Sequence, residues 1–425
     1  MRRYQRQAQS QPKHGPPSVS GASKAPIAPP SRRPDERGSG ITKKSVKRPP
    51  PQATPAPAAK VQQQIIPDSL QQLILDIFRE TFPQVNEFEA MKPALREIKD
   101  TLDRRDFQQA FATEEHKEKY TIRWSPSQAL AYSNILAWIA KEYSDNEWVK
   151  QFLTDGVKNN PSSVLCFGRG AAELVALIVM LKNSHLSALG QPAQPELENG
   201  QEIDGALGNL TVSDQWPISD KTLLRVGLVD TTDWTEVVSK IHQSYTTPRP
   251  LSKYASAKAR LSNTSPLSPK ALSWKFTQLD ILDCGIEELG SMIGADPTLI
   301  TLFFTLNDMY MTSISKVSAL LRKITAAAPK GSLLLVVDKP GACVEATPTD
   351  NNAGTEGRQY PIHLLMYRAL FPEEHQKVEK VKDKKEPAWE KLVEEDNCIF
   401  KLDKGLVFPG CLENIKFQMH LLQRL

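Results

Sequence analysis

The stretch VLCFGRGAAELVAL, residues Val164–Leu177, decides the fold of this 425-residue chain. Its apolar run Val164–Phe167 ends at a turn with Gly168 and Gly170, and the apolar positions after the turn recur at helical spacing. A strand, a glycine turn and a helix N-terminus are therefore predicted in direct succession. Such a turn lets the backbone approach a ligand, and the helix N-terminus presents free N–H groups. The stretch predicts a nucleotide-type binding sheet, although a tight turn without a ligand has the same pattern.

The glycine turn alone does not separate the classes of nucleotide-binding protein. A dinucleotide fingerprint carries a third Gly or Ala three residues after the second glycine, where this chain has Glu173 behind two alanines. Arg169 stands between the two glycines. Its side chain is either a solvated charge or a contact for an anionic group, and the sequence leaves both open.

Four further apolar runs follow the turn, and helical patterns separate most of them. We predict strands at Leu223–Val229, Trp274–Leu279, Leu299–Thr305 and Leu333–Val337. Helices are predicted near Trp234–Tyr245 and Thr312–Ala327, and the polar stretch 183–221 is predicted as an inserted loop. Together with the first strand, these runs indicate an α/β fold with a mostly parallel, doubly wound sheet.

The C-terminal part favours one class of α/β fold over another. It is predicted to hold a short helix with Trp389 and Leu392, then strands at Asn397–Leu402 and Glu413–Leu421. A late pair of strands on a five-stranded parallel sheet is the plan of class I Rossmann-like methyltransferases, whose seven-strand sheet has one antiparallel strand. A nicotinamide dehydrogenase would continue with a sixth parallel strand or a separate substrate domain, so it is the weaker alternative.

The first 64 residues are predicted to be a disordered basic tail. Residues 1–60 contain twelve prolines and thirteen Lys or Arg against two acids, a net charge of +11. Because the whole chain carries +4, the remainder carries −7. Lys43–Pro49 has the composition of a nuclear-localisation patch, so we expect the protein in the nucleus or nucleolus, with the cytoplasm as a further location.

Residues 65–150 are predicted to be a helical region that precedes a binding domain over residues 151–425. Asp68 is predicted to cap the first helix, because apolar residues recur at helical spacing behind it. Ser125-Pro126 is predicted to start a later helix that runs to about Tyr143, since proline at the first helical position loses no hydrogen bond. The faces of these helices do not say whether the region covers a ligand or contacts a partner.

Composition excludes several other classes of protein. Residues 1–30 lack an apolar signal segment, and the apolar run Leu174–Leu181 is far shorter than the ~20 residues that span a membrane. Five separated cysteines and seven scattered histidines lack metal-ligand spacing, and Cys166 reads as a core residue. We therefore expect an intracellular, reduced, metal-free monomer without a membrane partner.

Two acids follow successive predicted strands beside the glycine turn. Asp230 ends the second strand and Asp280 the third. In an open parallel sheet, ligands bind at the carboxyl edge where the strand order reverses. Asp230 is placed to accept hydrogen bonds from ribose hydroxyls, and Asp280 to meet an adenine amino group. Either acid alone is more often a turn or cap residue, but the pair favours a nucleotide site.

Six stretches carry a more specific resemblance. They are Arg123–Ser127, Val164–Leu177, Ser252–Ala257, Phe276–Asp283, Leu302–Tyr310 and Leu412–Leu425. In this order they resemble the fungal S-adenosylmethionine (SAM)-dependent methyltransferases that modify a uridine at ring nitrogen 3 in large-subunit ribosomal RNA. The resemblance covers about residues 120–425 and leaves the basic tail outside. Arg169 is a departure, because such turns often have another glycine at this position.

The resemblance implies which residues hold SAM. The glycine turn would approach its methionine end, the acid of the second strand its ribose, and the residues after the third strand its adenine. The implied cofactor residues are Gly168, Gly170, Glu173, Asp230, Asp280, Ile281 and Thr305.

The resemblance also implies the residues that face the transferred methyl group. Asn307 is expected to hydrogen-bond the base, and Asp308 or Tyr310 to assist deprotonation of the base or to stack on it. The pair Asn307-Asp308 equally fits a helix cap, so its catalytic role is one of two interpretations.

The partner implied is large-subunit rRNA or a preribosomal particle. Arg249–Lys275 contains six Lys or Arg and no acid, and we expect it to contact phosphates together with the tail. A flexible solvated loop would have the same composition. Two other functions remain open at this point: a methyltransferase for a small molecule or protein, and a non-catalytic RNA-binding module of ribosome assembly.

Overall fold

The computed structural model describes residues 59–153, 160–188, 221–248, 251–257, 260, 263–346, 358–372 and 386–425. Residues 1–58 of the predicted tail, with the Lys43–Pro49 patch, lie outside these residues, as do most of the predicted inserted loop and part of the Arg249–Lys275 stretch. The last residues assigned to the tail, 59–64, are described, and Lys60–Val61 form a short strand instead of a disordered segment. All described residues belong to one compact unit, residues 56–425.

An eight-stranded sheet forms the centre of this unit. In spatial order its strands are β1 (Lys60–Val61), β9 (Trp389–Phe400), β10 (Ile415–Arg424), β6 (Leu333–Asp338), β5 (Thr298–Phe303), β2 (Ser162–Phe167), β3 (Leu224–Asp230) and β4 (Leu272–Gln278). β10 is antiparallel to both of its neighbours, and the other pairs are parallel. The class I methyltransferase plan is confirmed, with the two-residue β1 added at one edge. A separate hairpin pairs β7 (Cys343–Ala346) with β8 (Arg358–Pro361).

Side-chain alternation along the strands gives each face of the sheet its own core. On β2, Val164 and Cys166 point to one core, and Leu165 and Phe167 to the other. The first face is covered by α1 (Asp68–Thr81), α2 (Phe88–Asp103), α3 (Phe107–Ala110), α4 (Glu114–Glu142), α5 (Glu147–Leu153), α6 (Ala171–Ala188) and α7 (Thr235–Thr246). The second face is covered by α8 (Ile286–Ile293), α9 (Leu306–Thr312), α10 (Ile314–Ala327) and α11 (Ile362–Leu370). The N-terminal helices thus share a core with the sheet, and the predicted division at residue 150 stays a prediction.

Two predicted helix starts are wrong. Ser125-Pro126 lies inside α4, which begins at Glu114. Thr113 is its N-cap residue, and the Thr113 Oγ1 accepts a hydrogen bond from the His116 N–H at 3.2 Å. Both Ser125 and Pro126 are buried, so packing on either side carries the helix through the proline. At α1 the cap position is Pro67, and Asp68 lies in the first turn, where its charge still suits the helix dipole.

The predicted C-terminal helix is a strand. Trp389 and Leu392 lie in β9, which pairs with β10 from Trp389 opposite Arg424 to Phe400 opposite Ile415. The indole N–H of Trp389 donates to Thr325 Oγ1 at 2.8 Å, which fixes this end of the strand against α10. The predicted inserted loop also begins too early, because α6 continues to Ala188.

Three findings in the described ranges concern membrane spans, metal ligands and Cys166. Within the described ranges, no helix is long and apolar enough to cross a membrane. No group of three His, Cys, Asp or Glu side chains could hold a metal ion in the same ranges. Cys166 lies in the core at 1% exposure, and burial raises the pKa of its thiol.

Candidate functional site

The glycine turn joins β2 to α6 at the carboxyl edge of the sheet. The Gly168 N–H donates to the Val229 carbonyl at 3.0 Å, and both glycines have positive φ, 151° at Gly168 and 85° at Gly170. A Cβ atom on Gly170 would lie 3.0 Å from Leu228 Cδ1. Because side chains rarely adopt such backbone angles, both positions require glycine.

The turn brings three predicted cofactor residues together. A Cβ atom on Gly168 would lie 3.0 Å from Glu173 Oε1 and 3.3 Å from Thr305 Cγ2. Thr305 Oγ1 is buried and has no hydrogen-bond partner among the described residues. The absence of a side chain at Gly168 therefore leaves a cradle between β2 and β5, with an unpaired hydroxyl beside it.

Glu173 is a buried acid in the first turn of α6. Glu173 is 6% exposed, and burial raises the pKa of its carboxyl to about 7. Hydrogen bonds from the backbone N–H groups of Gly170 and Glu173, together with the charge of Arg169, oppose the rise. The carboxylate is thus held at the cradle at a free-energy cost, and a ligand cation would relieve that cost.

Arg169 is not a solvated charge. Its guanidinium carbon lies 4.9 Å from the ring centroid of Tyr120, 5.1 Å from Phe111 and 5.9 Å from Phe107. These distances are those of cation–π contacts, and they join the turn to α3 and the start of α4. Arg169 Nε is buried without a hydrogen-bond partner in the described part of the chain.

A recess of about 260 Å³, open solvent included, lies between the helical region and the turn. Its lining joins α4 to the start of α6 and the end of β5, and consists of Tyr120, Ser125, Gln128, Tyr132, Arg169, Ala172, Glu173 and Phe303. The helical region therefore covers the glycine turn, which the helix faces alone did not reveal.

The predicted ribose and adenine acids lie at the same edge. Asp230 ends β3, and its Oδ1 accepts a hydrogen bond from the Thr232 N–H at 2.8 Å. Burial raises the pKa of the Asp230 carboxyl, and the positive charge of Arg169 opposes this rise. Asp280 follows β4, is exposed, and accepts from the Leu282 N–H at 3.0 Å. Ile281 beside it is 4% exposed. Leu279 N–H donates to the Asp230 carbonyl at 2.9 Å, which ties the two strand ends together.

A strained turn after β5 carries the predicted substrate-facing residues. Phe304 has φ 55°, and its N–H donates to the Val337 carbonyl at 2.7 Å. α9 begins two residues later, and the Asn307 N–H donates to Asp338 Oδ2 at 2.8 Å. A positive φ at a phenylalanine is costly, and such strain clusters at functional sites.

Asp338 is a site residue that sequence reasoning missed. It ends β6 at 1% exposure, and burial raises the pKa of its carboxyl to about 6. Its Oδ1 accepts from the Lys339 N–H at 2.7 Å, so its two oxygens hold two backbone segments. The signal was present, because Asp338 ends a strand just as Asp230 does.

Asp308 is tied to the helical region rather than free in solvent. Its Oδ1 lies 3.1 Å from Nη1 of Arg105, in the loop between α2 and α3, and the two side chains are 33% and 40% exposed. Arg105 was also missed, since it is 203 residues away from Asp308 and no local pattern joins them.

Tyr310 lies in the core rather than in the recess. It is 1% exposed in the core cluster of the second face, and burial raises the pKa of its phenol. Contact with a substrate base would require this ring to leave the core. The structure thus brings Asn307 and Asp308 to the edge of the site and leaves Tyr310 behind them.

The end of the basic stretch, from Leu267 to Ala271, lies at the other edge of the sheet. The Leu267 N–H donates to the Tyr245 carbonyl at the end of α7, and the Leu223 N–H donates to the Ala271 carbonyl just before β3. These contacts are at the amino ends of the parallel strands, opposite the glycine turn. In this stretch Tyr254 is 83% exposed, with Lys253 Nζ 5.0 Å from its ring centroid.

The residues at the recess suit SAM. The cofactor offers an ammonium, a carboxylate, two ribose hydroxyls and an adenine. Glu173 is a buried acid for a cation, Arg169 a half-buried cation for an anion, and Asp230 an acceptor for hydroxyls. The unpaired Thr305 Oγ1 and the cradle at Gly168 provide room and a further polar partner.

Comparison with solved structures gives weak similarity. A SAM-dependent methyltransferase from Methanosarcina mazei is 8% identical with a TM-score of 0.28, and the match covers 62% of this chain and 92% of that one. The N-methyltransferase NodS from Bradyrhizobium japonicum, in complex with S-adenosyl-L-homocysteine, is 10% identical with a TM-score of 0.25 over 70% and 98% of the two chains. Similarity at this level carries no argument about the site.

Sequence comparison is more informative. The 25S rRNA (uridine(2843)-N(3))-methyltransferase of Saccharomyces cerevisiae is 25% identical over 355 residues, which are 81% of this chain and 83% of the relative. A family model described as "Putative SAM-dependent methyltransferase" matches residues 78–423. That range includes both the recess and the helices that cover it. The chain therefore belongs to this family and is a SAM-dependent methyltransferase.

Proposed function

We propose that this methyltransferase transfers the methyl group of SAM to N3 of a uridine in large-subunit rRNA. The observation that carries the proposal is the position of Asp308: a partly exposed carboxylate at the start of α9, beside the strained Phe304 turn and at the same sheet edge as the glycine turn. The similarity to the yeast rRNA (uridine-N3)-methyltransferase supports the choice of substrate.

The chemistry of uridine explains why a carboxylate is needed. When bound, SAM supplies a methyl group made electrophilic by the neighbouring sulfonium. The uracil N3–H is weakly acidic, so N3 becomes a good nucleophile only as its proton is removed. Asp308 accepts that proton, and the Asn307 amide hydrogen-bonds the base. Neither residue forms a covalent bond with the substrate, so the protein acts by positioning and electrostatics.

The residues around the recess hold the cofactor in this proposal. Glu173 pairs with the ammonium and Asp230 with the ribose, while Asp280 and Ile281 contact the adenine. Gly168 and Gly170 allow the backbone to approach, and Thr305 supplies a hydroxyl beside them. Arg169 is held by the aromatic rings of the helical region, so that region packs directly against the cofactor site.

A genetic experiment tests the proposed substrate. Large-subunit rRNA from a strain that lacks this gene is digested to nucleosides, and N3-methyluridine is measured by mass spectrometry. The wild-type gene is expected to restore the modified nucleoside, whereas Asp308→Asn is expected to leave it absent with normal SAM binding. Full restoration by Asp308→Asn would show that Asp308 has no catalytic role. Unchanged N3-methyluridine in the deletion strain would show that this uridine is not the substrate.

We also propose that the basic tail directs the protein to the nucleus or nucleolus and adds phosphate contacts to rRNA. Its net charge of +11 and the Lys43–Pro49 patch support both roles. A fluorescent fusion that lacks residues 1–60 is expected to lose nuclear accumulation. Retention of this fusion in the nucleus would contradict the proposed role of the tail and would leave the proposed methyltransferase reaction unaffected.

A further inference from the structure

Arg105 occupies a backbone position that ordinarily belongs to glycine. Its φ is 61°, and it follows Arg104, the residue that ends α2. The Arg105 N–H donates to the Leu102 carbonyl at 2.9 Å, and the Asp106 N–H donates to the Thr101 carbonyl at 3.1 Å. This pair of hydrogen bonds is a Schellman motif, in which glycine is preferred at the position of Arg105.

The Schellman motif explains the left-handed backbone, but stability does not explain why arginine rather than glycine occupies it. A left-handed backbone costs more at a residue with a Cβ atom than an exposed ion pair returns. The pair with Asp308 at 3.1 Å is such a pair, since both side chains are more than 30% exposed. Arg105 and Phe304 are the two non-glycine residues with positive φ in the described part of the chain; Arg105 pairs with Asp308, and Phe304 precedes Asp308 by four residues. A strained residue paired with this carboxylate, and a second one in the turn that leads to it, indicate a functional role for the side chains.

The side chains at this point have a defined hydrogen-bonding pattern. Arg105 only donates, the Asp308 carboxylate only accepts, and the adjacent half-buried Asn307 offers an amide N–H₂ as a further donor. The charge of Asp308 also acts on Arg169 and Tyr120, which line the recess. Arg105 and Asp308 thus present a donor and an acceptor side by side, and Asn307, the residue before Asp308, carries a further donor.

We infer that Arg105, Asp308 and Asn307 together read the Watson–Crick edge of the target uracil. That edge presents the carbonyl O4, the N3–H and the carbonyl O2, which are an acceptor, a donor and an acceptor. Asp308 accepts from N3–H while Arg105 and Asn307 donate to the flanking carbonyls. Cytosine would bring the N3 lone pair against the Asp308 carboxylate and an amino group against a donor, so it is rejected. This inference rests on the proposed function and specifies its substrate recognition.

The same arrangement gives Arg105 a catalytic part. The N3–H bond breaks, the proton passes to an Asp308 oxygen and from there to water, and the electron pair stays on N3 with its charge shared by O2 and O4. Arg105 stabilises this negative charge by donating a hydrogen bond to the uracil carbonyl oxygen that it contacts. N3 then forms the bond to the methyl carbon, while the electron pair of the methyl–sulfur bond stays on sulfur and neutralises the sulfonium. Proton, charge and methyl group are thereby all accounted for.

The test replaces Arg105 by glycine, which suits the backbone and removes the side chain. Arg105→Gly is expected to keep the melting temperature and the calorimetric SAM affinity of the wild type, and to lower kcat on an rRNA transcript by about a hundredfold. Arg104→Gln is the matched control, because Arg104 is the neighbouring arginine, has an ordinary helical backbone and contacts Thr101 rather than Asp308. Arg105→Lys is expected to keep part of the rate.

A second readout separates charge stabilisation from a structural role. Transcripts made with 5-fluorouridine carry a more acidic N3–H, because fluorine withdraws electrons from the ring. The rate ratio of fluorinated to ordinary transcript is expected to be larger in Arg105→Gly than in the wild type, since the lost stabilisation matters less for a more acidic base. An equal ratio, or a kcat within twofold of the wild type, would overturn the inference. Absence of N3-methyluridine with the wild-type enzyme would instead overturn the proposed function itself.

Discussion

Replacing Glu173 by glutamine should make the protein more stable and a weaker binder of SAM. Burial raises the pKa of the Glu173 carboxyl from an ordinary 4.5 to about 7. At about 1.4 kcal/mol per pKa unit, this rise corresponds to about 3 kcal/mol by which the folded state disfavours the ionised carboxylate. Glutamine has nearly the same shape and carries no charge, so it removes this penalty.

The sign of the pH dependence follows from proton binding. Between about pH 4.5 and pH 7 the folded state holds the Glu173 proton and the unfolded state does not, so the free energy of unfolding falls as pH rises. Below that window both states are protonated, and above it the full penalty applies. Asp230 and Asp338 also have raised pKa values, and the comparison of wild type with Glu173→Gln largely cancels their contributions.

Urea unfolding at pH values from about 5 to 8 measures the effect. We expect the two proteins to unfold with similar free energies near pH 5 and Glu173→Gln to be about 3 kcal/mol more stable near pH 8. Glu287→Gln, at an exposed position in α8, is the control and should follow the wild type. Calorimetry at pH 8 should show SAM affinity lowered about tenfold or more in Glu173→Gln, since the ammonium loses its buried partner. Parallel stability curves for the two proteins would refute the reasoning.

Three other changes give further expected outcomes. Gly170→Ala should lower stability by about 1–3 kcal/mol in urea unfolding and weaken SAM binding, because φ is 85° and Leu228 leaves 3.0 Å for a Cβ atom. Asp338→Ala should cost at least about 2 kcal/mol in the same assay and reduce kcat, because two backbone N–H groups lose their acceptor; an unchanged kcat would contradict its link to Asn307. Removal of residues 1–60 with Lys253→Ala and Arg260→Ala should flatten the salt dependence of rRNA binding, and an unchanged slope would exclude these phosphate contacts.

Local patterns in the sequence were sufficient for the sheet and for the cofactor side of the site. Glycines with positive φ, apolar strands and acids at strand ends are short-range signals, so Gly168, Gly170 and Asp230 could be placed on one edge. The predicted start at Ser125-Pro126 failed for a related reason: the proline rule describes an isolated helix end, and here buried contacts on both sides continue the helix.

The substrate side depends on contacts that no local pattern contains. Arg105 meets Asp308 across 203 residues, and the aromatic rings that hold Arg169 come from α4 and from residues beside α3. The catalytic role of Tyr310 stays a prediction: its motif is read along the chain, whereas α9 turns the ring into the core. The sequence placed the basic stretch Arg249–Lys275 between the second and third predicted strands. It did not indicate at which edge of the sheet this connection lies. A helix followed by a loop returns the chain to the amino edge, where Leu267 and Ala271 lie.

The most direct test of the account is methylation by the purified full-length chain in vitro. Large-subunit rRNA from cells that lack the enzyme is incubated with isotopically labelled SAM and digested to nucleosides. The account predicts label in N3-methyluridine alone for the wild type, and none for Asp308→Asn or Asp230→Ala. Label in any other nucleoside, or undiminished N3-methyluridine with Asp308→Asn, would contradict it.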